Sequence, residues 1–228
     1  MLKRPARRTG ASRLLQACAA APARRRLVAQ APGGFTLVEL LVAMVVFAIL
    51  AVLSIPSFSA WIHDEQIRST AELLQNGLRA AQTDALNRSR IVVFALSNAT
   101  PALSATPTAD GVNWYAQALP LYAAEANLAS YTSSAYLQGG ALGGASNGTT
   151  ITGPASLCFS SIGRLVATTQ TVAGATYSCS VPAAGTLVTY DIANPLGDRP
   201  LRVTVSFGGQ IRMCDPALTL SASNPQGC

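Results

Sequence analysis

The sequence is short of charge, of histidine and, past its third residue, of lysine, and each shortage removes a class of function. Only 11% of the 228 residues are charged while 50% are hydrophobic, a low charge content for a soluble protein of average composition. His63 is the only histidine, so no site built on paired imidazoles can form. No two cysteines stand at C-x-x-C spacing, which argues against structural zinc, and no metal site or cofactor is expected. No phosphate-cradling loop appears. Asp198-Arg199 and Asp215 read as loop charges, and His63 as an interfacial residue where a helix leaves a membrane. The chain is therefore read as a non-enzyme with no catalytic residues.

The net charge of +6 invites a nucleic-acid reading, but its distribution does not support one. Residues 1–34 carry Lys3, Arg4, Arg7, Arg8, Arg13, Arg24, Arg25 and Arg26 and no acid. The remainder has eight arginines, no lysine and ten acids. The basic balance belongs to a leader, not to a binding surface.

What is present begins with an uncharged run from residue 40 to residue 62. As a helix of about 1.5 Å per residue it spans roughly 35 Å, enough to cross a bilayer. The basic cluster ahead of it places the N-terminus in the cytoplasm and everything after His63 outside. A conventional signal peptide cut near Ser57 or Ser59 is the alternative, but the run is too long for an ordinary signal core. Glu39 opens the run, and a carboxylate there is costly unless it is paired.

The stretch Gly33-Gly34-Phe35-Thr36-Leu37-Val38-Glu39, behind a basic leader and ahead of a long apolar helix, resembles the class III signal of type IV pilins and type II secretion pseudopilins. The leader of 34 residues is long for that class. The resemblance implies cleavage between Gly34 and Phe35 by a prepilin peptidase, N-methylation of Phe35, and a helix bend at Pro56. It also implies an assembly role for Glu39, whose carboxylate neutralises the new amine of a neighbouring subunit. At about 4 Å and an effective dielectric near 20 that attraction is about 4 kcal/mol before desolvation. The pair therefore enforces register more than it adds net stability.

Beyond the run, Ile67, Ala71, Leu74, Leu78, Ala81 and Ala85 recur at helical spacing, predicting an amphipathic helix over 63–90. Strands are expected at 91–96, 112–118, 156–160, 164–168, 176–181, 186–192, 201–207 and 210–214. Turns are expected at Ile162-Gly163 and Gly208-Gly209, and 123–156 reads as loop with at most one short strand. A helix followed only by strands gives an α+β class: a long N-terminal transmembrane helix continuing into an amphipathic helix packed on an antiparallel β-sheet head. The domains are thus a leader (1–34), a transmembrane helix (35–62), an amphipathic helix (63–90) and a periplasmic head (91–228). This organisation is similar to the GspH/FimT branch of pilin-like proteins.

Cys158, Cys179, Cys214 and Cys228 remain after the leader, allowing three pairings that the sequence alone does not separate. Local loop closure favours Cys158–Cys179 and Cys214–Cys228. The resemblance also raises DNA uptake, since some related minor pilins carry a C-terminal Gly-Arg-x-Arg motif. Gly209-Gln210-Ile211-Arg212 keeps its glycine and second arginine only, which leaves Arg199, Arg202 and Arg212 as the candidate DNA contacts.

The expected function is a minor pilin or pseudopilin, single-pass in the inner membrane, that initiates or joins a periplasmic filament of secretion or pilus machinery. Its partners would be prepilin peptidase, other pilins or pseudopilins, the inner-membrane assembly platform and membrane lipid, with nucleic acid not favoured. The alternatives are a DNA-binding minor pilin and a membrane-anchored binding module that does not polymerise. N-terminal sequencing or intact mass of protein from native membranes should find a mature chain that begins at methylated Phe35. A chain beginning near Trp61 would point to the ordinary signal peptide instead.

Overall fold

Six residues spaced three and four apart organise the head: Ile67, Ala71, Leu74, Leu78, Ala81 and Ala85 are all fully buried. A computed structural model describes residues 34–143, 148–183 and 185–228. The basic leader, apart from Gly34, therefore lies outside the described residues. The backbone of 53–57 is helical, but its side chains are not described, so the bend expected at Pro56 lies outside the description too. The chain divides into two units after Phe47. In the first, Phe35 is exposed just ahead of helix α1 (Leu37–Arg88), and Leu37, Val38, Leu40 and Leu41 are exposed on its opening turns. Among the described residues no helix is long and apolar enough to cross a membrane. The run 40–62 includes the stretch 53–57, so the spanning expectation for 35–62 rests on the sequence.

In the second unit α1 is followed by β1 (Val92–Ser97), β2 (Asn113–Ala118), a 3-10 turn (Ala123–Asn127), a short helix α2 (Ala129–Ala135) and β3 (Tyr136–Ala141). Then come β4 (Thr150–Thr152), β5 (Ser156–Phe159), β6 (Thr168–Val172), β7 (Ala175–Cys179), β8 (Leu187–Ala193), β9 (Leu201–Ser206) and β10 (Ile211–Cys214). The strands form two four-stranded antiparallel sheets, β3-β2-β1-β5 and β10-β9-β8-β4, and a β6-β7 hairpin. The expected α+β class with a helix on antiparallel strands is what the chain adopts, with two main sheets where one was expected.

The helix stripe packs against alternating residues of both sheets: Val92, Phe94 and Leu96 from β1, Tyr190 and Ile192 from β8, Val203 and Val205 from β9. Burying a side chain the size of Ile67, Leu74 or Leu78 contributes about 1.5–3 kcal/mol. Strand β1 is buried at every position because its other face is covered as well. There Val93 and Ala95 meet Tyr115, Tyr131, Tyr177 and the Cys158–Cys179 pair in a second core. Double coverage explains why β1 reads as an unbroken apolar run and not as an alternation.

Both disulfides close locally: Cys158–Cys179 joins β5 to β7 with Cα atoms 5.7 Å apart, and Cys214–Cys228 ties the C-terminus to β10 at 5.2 Å. Gln82 of α1 donates from Nε2 to the carbonyls of Gly163 and Gly209, at 2.7 and 2.8 Å. This links the helix to two turns at once. Gly209 has φ +86°, and a Cβ there would lie 2.0 Å from the Gly163 carbonyl oxygen, so only glycine fits.

Two expectations are corrected. Residues 123–156 are not mostly loop; they hold the 3-10 turn, α2, β3 and β4. Alanine, serine and glycine gave this stretch no apolar period, yet Tyr131 anchors α2 by donating its hydroxyl to the Ala118 carbonyl at 2.8 Å. Gly139 of β3 sits where a Cβ would come within 2.8 Å of the Trp114 carbonyl oxygen. Residues 164–168 do not form one strand. The Val166 N–H donates to Cys158, whereas the Leu165 N–H donates to Phe207, so consecutive residues serve different strands and no ladder grows.

Helix α1 stops where Asn87-Arg88-Ser89-Arg90 suggests. Ser89 takes φ +51°. The Ser89 and Arg90 N–H groups donate to the Leu86 and Ala85 carbonyls at 3.3 and 3.2 Å, which closes the last turn. This is the left-handed cap in which glycine is the usual residue. Arg90 then meets Glu125, Nη2 to Oε1, at 2.6 Å. The Leu121 N–H first and the Arg90 guanidinium second hold the Glu125 carboxyl below its ordinary range.

Ser89→Gly should raise the denaturation midpoint of the head by the equivalent of about 1 kcal/mol, the strain of a left-handed non-glycine residue; a lower midpoint would contradict this cap. A depressed carboxyl stabilises the fold above its unfolded pKa, and that stabilisation is lost as pH falls through the folded value. Glu125→Gln should therefore destabilise the head at neutral pH and narrow the loss of stability seen on acidification below 4.5, its ordinary value. Denaturant melts at pH 7 and pH 3 decide it, and an acid limb unchanged by the substitution would refute the assignment.

Candidate functional site

Residues 34–39, at the expected cleavage junction, lead into helix α1, and Glu39 is the one charge among them. Thr36 precedes α1, and its Oγ1 accepts the Glu39 N–H at 3.2 Å while its carbonyl accepts the Leu40 N–H at 3.2 Å. Thr36 is thus the N-cap, and a cap of this kind is worth about 1 kcal/mol. The spacing Thr36-x-x-Glu39 is the start signal of a capping box. That signal was readable in the sequence beside the assembly role proposed for Glu39. Glu39 sits in the positive first turn of the helix, where a carboxylate gains about 0.3–1 kcal/mol from the dipole.

Among the described residues the Glu39 carboxylate has no ion-pair partner. No other carboxylate follows until Asp64. Phe35, at 81% exposed, and the apolar side chains of the next turns surround it without burying it. A Cβ built on Gly34 would meet nothing within 4 Å. Among the described residues nothing therefore demands a glycine at that position.

The arginines considered for nucleic acid lie near one another without forming a free patch. Arg202 and Arg212 share one face of the β9–β10 pair, by the register Arg202↔Cys214 and Thr204↔Arg212. Arg202 Nε bonds Asp191 Oδ1 at 2.6 Å across the β8–β9 pair. Arg212 donates from Nη2 to the carbonyls of Pro225 and Gly227 in the C-terminal loop. Arg199 is exposed, and its backbone N–H, like that of Asp198, bonds Asp64 Oδ1. Two of the three guanidiniums are thus engaged by carboxylate or carbonyl groups of their own chain.

His63 is half-buried, its Nδ1 3.1 Å from Gln66 Oε1. Among the described residues no group of acids, histidines or cysteines is placed to hold a metal. One catalytic signature does occur in letters: Gly144-Ala145-Ser146-Asn147-Gly148 spells the G-x-S-x-G of a nucleophile elbow. That elbow turns a strand into a helix. Ser146 itself lies outside the described residues.

Residues 31–55 match the prokaryotic N-terminal methylation motif. No curated protein gives a significant match. Among solved structures, the type IV minor pilin FimU of Pseudomonas aeruginosa (strain PAO1) is similar in two crystal forms. In one the identity is 18%, covering 71% of this chain and 98% of that one; in the other it is 19%, covering 72% and 96%; the TM-score is 0.41 in both.

Proposed function

We propose that the chain is a minor pilin or pseudopilin, a structural subunit that initiates or joins a periplasmic filament of type IV pilus or type II secretion machinery. The observation that carries the reading is the methylation motif over residues 31–55, a segment whose one carboxylate, Glu39, opens helix α1 among exposed apolar side chains and has no ion pair among the described residues. A prepilin peptidase cuts between Gly34 and Phe35, where no described residue crowds the glycine. The cut leaves an amine on Phe35, which is then methylated.

An amine at the N-terminus of a helix lies at the positive end of the dipole and is disfavoured there. A neighbour's Glu39 answers it. Before assembly the apolar helix holds the protein in the inner membrane, with the head in the periplasm. The exposed pair Phe58 and Trp61, ring centres 5.7 Å apart, suits the membrane–water boundary at the end of the run. The two disulfides suit an oxidising compartment. The chain acts by packing and charge, as the substrate of an enzyme and not as one.

Glu39→Ala tests this. The leader should still be removed, because Gly34 is intact, and both disulfides should form. Incorporation into the filament should fall by tenfold or more, since a buried unpaired amine costs several kcal/mol. Glu39→Gln should fail similarly, and Glu39→Asp should retain part. Wild-type crosslinking to other pilin-like subunits in Glu39→Ala would sink the assembly role and favour an anchored module that does not polymerise.

A further inference from the structure

The turn between β8 and β9 exposes a side chain that its own geometry does not call for. Asn194 accepts the Leu196 N–H on Oδ1 at 3.0 Å, and its carbonyl accepts the Gly197 N–H at 3.0 Å, which closes the turn. Asn194, Pro195 and Gly197 stand at its first, second and fourth positions, where those residue types are favoured. Leu196 serves neither the turn nor the core: it is 66% exposed, and Pro195 beside it is exposed too.

The turn is fastened to α1 just past residue 62, where the uncharged run ends. The Asp198 and Arg199 N–H groups donate to Asp64 Oδ1 at 2.8 and 3.0 Å, and Asn194 Nδ2 lies 3.5 Å from His63 Nδ1. A Cβ on Gly197 would come within 2.9 Å of Ile67 Cδ1, so the backbone lies flush on the helix. From residue 63 to residue 67 a helix rises about 6 Å, comparable with the roughly 5–8 Å of headgroup layer on each side of the hydrocarbon core. Phe58 and Trp61, both exposed, come just before this stretch, and Trp61 lines one open cleft with Asp198 and Arg199.

The charges around the cleft are of mixed sign. Arg199 is exposed, and its guanidinium has no hydrogen bond or ion pair among the described residues. Asp198 and Glu65 are exposed acids of the same cleft. The remaining charges are engaged: Asp64 by the turn, Arg68 by Glu72, and Asp215 by the Ala217 N–H.

We propose that the β8–β9 turn docks the base of the head on the bilayer that the chain's own helix enters, with Leu196 in the headgroup layer beside Trp61 and Arg199 on a lipid phosphate. The surface is one of zwitterionic phospholipid, whose ammonium groups answer Asp198 and Glu65 where an anionic surface would repel them. The proposal rests on the membrane anchoring given above and adds a second point of contact to it. A single helix leaves the head free to tilt about its exit point. A second contact, away from the helix axis, sets the orientation in which the head meets the assembly machinery.

The test uses the full chain carrying Cys18→Ser, reconstituted in phosphatidylcholine vesicles with no other pilin-like subunit present. The other four cysteines are bonded in pairs, so a thiol-reactive fluorophore attaches only at an added cysteine. A lipid spin-labelled near its headgroup should quench the label at Leu196→Cys at least threefold more than at Ile162→Cys. Ile162 is as exposed as Leu196, but the next residue of its turn is bonded to Gln82, about 30 Å further along α1. Arg199→Glu should lower the quenching at 196 by twofold or more, and Arg199→Lys should retain it. Equal quenching at 196 and 162, indifference to Arg199→Glu, or quenching at 196 that appears only once other pilin-like subunits are added would each overturn the docking. A label at Trp61→Cys separates the two claims. If it is quenched and the label at 196 is not, the turn contact alone falls. If neither is quenched, the membrane anchoring falls and this inference with it.

Discussion

An ionised carboxylate in an apolar setting is stable only when a cation or a set of donors answers it, and among the described residues no cation answers Glu39. It stands in the first turn of α1 among exposed apolar side chains, with a capped backbone beneath it and no ion pair among the described residues. The cap matters here. Thr36 satisfies the backbone of the turn, so the Glu39 side chain is not needed as a cap and is left to point outward. A positive group from another molecule is the natural complement, and processing at Gly34 would supply one on every subunit.

The head supports that arrangement by being complete in itself. One face of α1 is buried against two sheets, β1 is covered on both faces, and two disulfides fix β7 and the C-terminus. Gln82 joins the helix to two turns that no strand ladder connects.

Much of this was legible in the sequence because the physics was local. The period of the Ile67-to-Ala85 stripe, the Gly208-Gly209 turn and the alternation in β8 and β9 all depend on near neighbours. Three features were hidden for equally physical reasons. Helix α2 and strand β3 are built from small residues whose burial comes from Tyr131 and from close backbone approach at Gly139, not from an apolar period. The missing strand at 164–168 reflects backbone groups of Leu165 and Val166 that bond Phe207 and Cys158 in turn. The engagement of Arg202 and Arg212 depends on Asp191 across a strand pair and on the C-terminal loop. A count of arginines cannot show either. The Thr36 cap was visible as Thr-x-x-Glu and was overshadowed by the charge of the glutamate itself.

The central claim is that the Glu39 carboxylate lies against the N-terminal amine of another subunit. A zero-length carbodiimide applied to assembled filaments joins only a carboxylate and an amine already in contact. With one copy isotopically labelled, mass spectrometry should find an amide between Glu39 of one chain and the N-terminal Phe35, or the equivalent terminal residue, of a different chain. Filaments that contain this chain with Glu39 unmodified, or linked only to the amine of its own chain, would contradict the account.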